Sequence, residues 1–298
     1  MYGAGSLCLK PSLYVFRSMY PRIWTRVFSP RSIDSFVHLM VLNNPVTKIC
    51  FVAFERSGDT MKNDFIEKRI ENPFADGDGG DLGTKEHPSI WLFGIEHGIP
   101  PKTHIEIKDN PYSIKTQLEF PYNRNSFKLL AAILDKNCVP GREFANEFAV
   151  RRKPFVKDEK GFFKGNLFSY PCKNVSEWDD DAEKITGFKN KNEYYDRFRE
   201  VVFPSIQKKI IKHEPKIFIG VGITHKRDYS KAVINESEAK LLHKAFDINK
   251  QTKNVFYNIE NKTKLFIIPH LSGSRHGLNS NESLFQVGRF IRETLNLE

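Results

Sequence analysis

Glu96 and His97 lie between two glycines, in Gly94-Ile95-Glu96-His97-Gly98, directly after the apolar run Ile90 to Phe93. A carboxylate at a strand end can accept a proton from water or stabilise a developing cation. It can equally cap the next element. Asn166 opens a second apolar run, Gly165 to Asn174, and its amide carries both a donor and an acceptor for the edge of a base. Phe120 and Tyr122 flank Pro121 just before a helical pattern, where an aromatic ring can stack on a planar ligand or simply fill a core. His270 follows the run Leu265 to Ile268 and leads into Leu271-Ser272-Gly273-Ser274-Arg275-His276. An imidazole there can donate a hydrogen bond to an oxygen on which negative charge develops. Leu271 is apolar in a polar loop, the kind of side chain that wedges into a base stack. Lys226, Arg227 and Arg275 are cations suited to phosphates.

Such residues need a sheet to bring them together. Ile90–Phe93, Gly165–Asn174, Lys216–Gly222, Asn254–Ile259 and Leu265–Ile268 read as strands. Helical patterns fall over Lys62–Ile70, Ser126–Lys136, Glu143–Val150, Asn192–Glu214, Ser237–Phe246 and Asn281–Leu295, the last capped by Ser280 or Asn281. Pro204 implies a kink or break in its helix. The stretch Asn72–Gly83, with Asp76, Asp78 and Asp81, reads as a solvated turn because an EF-hand needs a closing Glu that is not in place. Glu177–Glu183 reads as an acidic loop. Strands alternating with helices imply a single three-layer α/β/α domain around a mostly parallel sheet. Open sheets of that kind bind ligands at the carboxyl ends of their strands.

Residues 1–60 are expected to be an N-terminal extension and residues 61–298 the α/β domain. The extension includes a possible strand at Val46–Phe54, and its first 40 residues are expected to pack poorly. Its Arg-containing, acid-free stretch Ser6–Pro30 fits a targeting segment or an ordinary tail.

The chain has 298 residues, 40% of them apolar, with 25 Phe, enough for a large core. A formal charge of +10 and a pI near 9.3 suit an anionic partner, nucleic acid first. Cys8, Cys50, Cys138 and Cys172 are widely spaced, without a CxxC or His/Cys ligand pattern. They are expected to be free thiols in a reducing compartment, giving a cytoplasmic protein with no metal and no cofactor. No apolar run approaches the ~20 residues that span a membrane, and a monomer is expected.

The order of these residues resembles the uracil-DNA glycosylase superfamily over roughly residues 70–298. That resemblance implies that Glu96 takes the water-handling position of the first motif. It implies that Phe120 or Tyr122 stacks on uracil, Asn166 reads the pyrimidine edge, and Gly94, His97 and Ser272 line the pocket. It further implies that His270 hydrogen-bonds the base carbonyl and that the loop tip at Leu271 enters the duplex. Glu stands where the family has Asp or Asn, the Pro after His270 is missing, and the cysteines that hold a cluster in some members are absent. The resemblance therefore implies uracil-containing or damaged DNA as partner and hydrolysis of an N-glycosidic bond as the reaction. Two other readings fit the same residues. One is a nucleic-acid or nucleobase-binding protein without the chemistry. The other is a small-molecule α/β hydrolytic enzyme using Glu96, His97 and His270.

Overall fold

The computed structural model of the chain describes residues 58–74, 79–98, 113–172, 177–272 and 275–297, together with the backbone of three short strands that precede them. The chain forms two compact units, Met1–Glu55 and Arg56–Glu298. In the first, β1 (Tyr14–Val15), β2 (Trp24–Phe28) and β3 (Phe36–Met40) pair antiparallel in that order. Val46–Phe54, Asp76 and Asp78 lie outside the described residues.

The second unit is an α/β domain. In chain order it runs α1 (Gly58–Glu71), β4 (Gly79–Gly80), β5 (Ile90–Gly98), α2 (Ile114–Gln117), α3 (Pro121–Leu134), α4 (Arg142–Arg152) and β6 (Phe162–Cys172). It continues with α5 (Asp180–Thr186), α6 (Lys191–Val201), α7 (Phe203–His213), β7 (Ile217–Val221), α8 (Lys226–Ile234), β8 (Leu242–Ile248), β9 (Gln251–Asn258), β10 (Lys264–Ile268) and α9 (Asn281–Thr294). The seven strands order as β4-β6-β5-β7-β10-β9-β8. The central four, β6-β5-β7-β10, are parallel, and β4, β9 and β8 pair antiparallel at the flanks.

Continuous apolar runs are what a strand covered on both faces requires. Their side chains alternate between two cores. Trp91, Phe93, Phe218, Leu265 and Ile267 face α1 and α5–α8. Ile90, Leu92, Ile219, Phe266 and Ile268 face α3, α4 and α9. From β5 the chain crosses to β6 through α3 and α4, then returns past β5 to β7 through α5–α7 on the other face. The connection reverses between β5 and β7, so the crevice for a ligand lies beyond the carboxyl ends of those strands. Buried Tyr229 of α8 ties this reversal together: its hydroxyl lies 2.9 Å from the Phe93 carbonyl and 3.1 Å from that of Val221.

Several elements differ from the sequence expectation. Gly94–Gly98 is not a turn but the end of β5, with a register irregularity between Glu96 and Gly98. Asn166 lies inside β6 rather than at its head. Glu177–Glu183 is not all loop: Asp179 caps α5 by accepting from the Ala182 N–H, and Asp180, Asp181 and Glu183 suit the positive end of its dipole. Ser237–Phe246 is not an α-helix: only Glu238–Lys240 forms a single 3-10 turn. Leu242–Ile248 pairs with β9 as a hairpin, whose two turn residues, Asn249 (φ 53) and Lys250 (φ 62), are both left-handed. Pro204 produces the break, sitting in the first turn of α7, where its missing N–H costs nothing. Asp81 is a tether rather than a solvated acid, accepting from the Gly83 and Gly161 N–H groups and the Ser89 hydroxyl.

Candidate functional site

The pairing of β5 with β6 sets Gly94 opposite Asn166. A methyl group on Gly94 would stand 2.5 Å from Asn166 Oδ1 and 3.6 Å from the Tyr122 hydroxyl oxygen, so only glycine lets these side chains approach the strand. The other end of the amide is held by His97: Asn166 Nδ2 lies 3.0 Å from His97 Nε2. Tyr122, in the first turn of α3, comes within 6.1 Å of the His270 ring, centroid to centroid, at an interplanar angle of 60°. Gly94, His97, Tyr122, Asn166 and His270 thus form one linked group at the carboxyl edge. Phe120 occupies the N-cap position of α3 and is half-buried. Of the two aromatics, Tyr122 is the one against Gly94 and His270.

His270 is shaped by its loop. Both the backbone N–H of Ser272 (3.1 Å) and the Ser272 hydroxyl (2.7 Å) reach His270 Nδ1. A backbone N–H can only donate, so Nδ1 carries the lone pair and the neutral ring bears its proton on Nε2. Burial lowers the His270 pKa, which favours this neutral form. The loop is pinned: Leu278 N–H donates to the His270 carbonyl at 2.7 Å, and Asn125 of α3 donates to the Leu271 carbonyl at 2.6 Å. Leu271 itself is 0% exposed and packs in the core beside α3 and α9. The side chain expected to project as a wedge is an anchor instead, because an apolar residue next to a filled core gains more from burial than from water.

Glu96 faces a different environment. Its Oε2 accepts from Lys191 Nζ at 2.9 Å and its Oε1 from the Tyr195 hydroxyl at 2.6 Å, both from α6. The carboxylate and ammonium side chains are 5% and 9% exposed. Glu96 and His97 therefore diverge: one bonds to α6, the other to Asn166. Around Glu96, burial and then the carboxylate raise the Tyr195 pKa, and burial followed by the Glu96 charge pushes the Cys172 thiol up to about 11.

A second polar cluster adjoins this one. The His225 ring meets the Tyr195 ring edge-on at 5.8 Å. His225 Nδ1 lies 2.8 Å from Asp228 Oδ2, and Arg199 grips the same carboxylate with Nε at 2.7 Å and Nη2 at 3.0 Å. Burial alone would raise the Asp228 pKa, but hydrogen bonds from His225 and Arg199 and their positive charge hold it below the ordinary 3.8. Neither this cluster nor Lys191 was read from sequence. Lys191 lies 95 positions from Glu96 and carries no motif that would join them.

The basic residues leave from neighbouring strands. Lys226 begins α8 after β7, its ammonium 4.6 Å from the Phe256 ring centroid, and Arg227 beside it is exposed. Arg275 is exposed after β10, and its carbonyl accepts from Lys253 at 2.7 Å. Gly273 and Ser274 lie outside the described residues. Among the described residues, no group of three or more His, Cys, Asp or Glu could hold a metal ion. No helix among them is long and apolar enough to cross a membrane. A cavity of about 510 Å³ lies along α4 beside Phe144, Glu147 and Arg151, and none of the strand-end residues lines it.

In comparisons with known proteins, no family model matches the chain and no curated protein sequence matches it.

Proposed function

We propose that this chain takes a flipped uracil, or a related damaged base, from DNA into the edge formed by Gly94, His97, Tyr122, Asn166 and His270, and that it hydrolyses the N-glycosidic bond. The carrying observation is that an oriented amide, an aromatic ring and a neutral imidazole lie together at the carboxyl edge of the sheet. Chemistry on a base requires its extrusion from the stack, and these are the groups that read and stack on an extruded base. In this reading Asn166 reads the pyrimidine edge and Tyr122 stacks on the ring. His270 Nε2–H stabilises the negative charge of the departing base. Lys226, Arg227 and Arg275 meet phosphates, so binding weakens with salt.

A second reading is favoured by the engagement of Glu96. Its two oxygens already accept from Lys191 and Tyr195, which supports base binding without cleavage. One experiment separates the two: uracil release from single- and double-stranded oligonucleotides, run beside salt-dependent binding of the same oligonucleotides. Release that falls by about 10²-fold or more in His270→Ala and Asn166→Ala supports hydrolysis. Binding without release supports the second reading. Neither binding nor release of any damaged base removes both.

A further inference from the structure

The opposite flank of the sheet carries a feature independent of the base site. Strand β8 is the last in the order, with no strand beyond it among the described residues. Leu242, His243, Lys244, Ala245 and Asp247 are all exposed, so both faces of the strand meet solvent, and Leu242 alone is 53% exposed. Native edges of this length are usually shortened, bulged, charged or covered, because their free N–H and C=O groups recruit another strand. Strand β8 carries charge at Lys244 and Asp247 but is neither bulged nor covered by a strand among the described residues. Here the pairing with β9 is regular from Leu242↔Tyr257 to Ile248↔Gln251.

The outward backbone groups follow from the hairpin. In a two-residue hairpin the residues that flank the turn exchange both hydrogen bonds, and bonded and non-bonded positions then alternate. Ile248 and Gln251 flank the turn, so Ile248, Phe246, Lys244 and Leu242 bond inward to β9. The N–H and C=O groups of His243, Ala245 and Asp247 therefore point outward. These three positions are symmetric about Ala245.

We propose that β8 is a homodimer interface, in which two copies pair β8 antiparallel about a twofold axis at Ala245, joining the two sheets into one. This departs from the monomer expected from sequence. The sequence of the strand is complementary to itself in that register. His243 falls opposite Asp247 of the second copy on one face, and Lys244 falls opposite its Phe246 on the other. Lys244 already lies 5.9 Å from the centroid of Phe246 in its own strand, so a lysine over this ring is a contact the strand makes. Leu242 falls at the edge of the pairing, opposite Ile248 of the second copy, which is already buried in its own domain. A strand shifted by one residue would lose every one of these pairs. The outward backbone groups would accept any strand, and it is the side-chain pairing of His243 with Asp247 and of Lys244 with Phe246 that selects a second copy of this chain.

The test is sedimentation of the full chain over a concentration series, with variants. A strand pair buries less than the ~1,600 Å² of a standard interface, so a concentration-dependent monomer–dimer equilibrium is expected. Ala245→Pro removes an outward N–H that β9 does not use, and it should abolish the dimer while the thermal midpoint holds. His243→Asp should weaken the dimer, and His243→Asp with Asp247→Lys should restore it. Ala245→Cys, with Cys8 and Cys50 replaced by Ser, should cross-link on oxidation, because the paired Cα atoms would stand ~5.5 Å apart, within disulfide range. The same background with Lys208→Cys should not. A wild-type chain that stays monomeric up to ~200 μM, far above typical weak-interface affinities, overturns the proposal. So does a dimer that survives Ala245→Pro.

Discussion

Asn166 Nδ2 stands 3.0 Å from His97 Nε2, while Asn166 Oδ1 occupies the space a Cβ on Gly94 would need, 2.5 Å from where that atom would stand. An amide nitrogen is only a donor, so this contact requires a lone pair on His97 Nε2 and a proton on its Nδ1. The histidine tautomer and the amide orientation are therefore one choice. The orientation decides what Asn166 offers a ligand: which end donates and which accepts.

Gly94→Ala is expected to break this arrangement. The new methyl group would meet Asn166 Oδ1 at 2.5 Å, and the amide cannot retreat without leaving His97. Overpacking of this kind costs about 1–3 kcal/mol. Denaturant unfolding should show that loss. Binding of a uracil-containing oligonucleotide should fall by about tenfold or more, since each ~1.4 kcal/mol is a factor of ten. Unchanged binding in a folded Gly94→Ala would separate Asn166 from ligand recognition.

His270 supplies a prediction with a definite sign. Burial lowers its folded pKa below the ordinary 6.5, so the unfolded chain takes up the proton first as pH falls. The contribution of neutral His270 is intact above about pH 6.5 and is lost as pH falls through the folded value. A proton-detected titration of the ring should give a midpoint below 6.5. The difference in stability between wild type and His270→Gln should shrink as the pH is lowered from about 7 to about 5. A ring that titrates at or above 6.5 would contradict the lone-pair assignment at Nδ1.

Much of this molecule was legible from residue patterns, for physical reasons that also mark the limits. The runs Ile90–Phe93, Lys216–Val221 and Leu265–Ile268 are apolar because both of their faces are covered, and each is a central strand. Their parallel pairing brings their ends to one edge, where Gly94 and His270 lie, with Asn166 of β6 opposite Gly94. The hairpin of β8 was not legible, because Asn249-Lys250 lacks the glycine that usually marks such a turn. The α5 helix was hidden because its acids look like a solvated loop until Asp179 is seen to cap it. Glu96 was legible as a carboxylate at a strand end, but its direction was not. A β-strand alternates its side chains, and an irregularity after Glu96 decides which element each one meets.

Asp228 should be visible in acid. Its folded pKa lies below the ordinary 3.8, so the unfolded chain is protonated first as pH drops. The stability it contributes is present above about pH 4 and lost below it. Urea unfolding at about pH 6 and about pH 3 should show a smaller drop in Asp228→Asn than in wild type. An equal drop in both would remove His225 and Arg199 as the source of the effect. Because α6 and α8 are joined through this carboxylate, the same variant should loosen their contact, read as faster amide exchange along α8.

The buried pair of Glu96 and Lys191 makes the sharpest separation between structure and chemistry. Lys191→Met leaves a carboxylate that is 5% exposed without its cation, still accepting from the Tyr195 hydroxyl and in contact with the Cys172 thiol. Removing one partner of such a pair costs about 3–5 kcal/mol. Glu96→Gln likewise removes the counter-charge of the Lys191 ammonium, which is then held by neutral acceptors such as the Glu177 carbonyl. Replacing both, as Glu96→Gln with Lys191→Met, removes both charges and should recover most of that loss, since a buried pair is often no more stable than a neutral one. Stability alone thus says nothing of catalysis, but the double variant does. If Glu96 handles the water, uracil release stays lost in the stable double variant. If the carboxylate only holds β5 to α6, any release shown by the wild type returns with stability. Uracil release and urea unfolding measured on the same three proteins decide between the two roles.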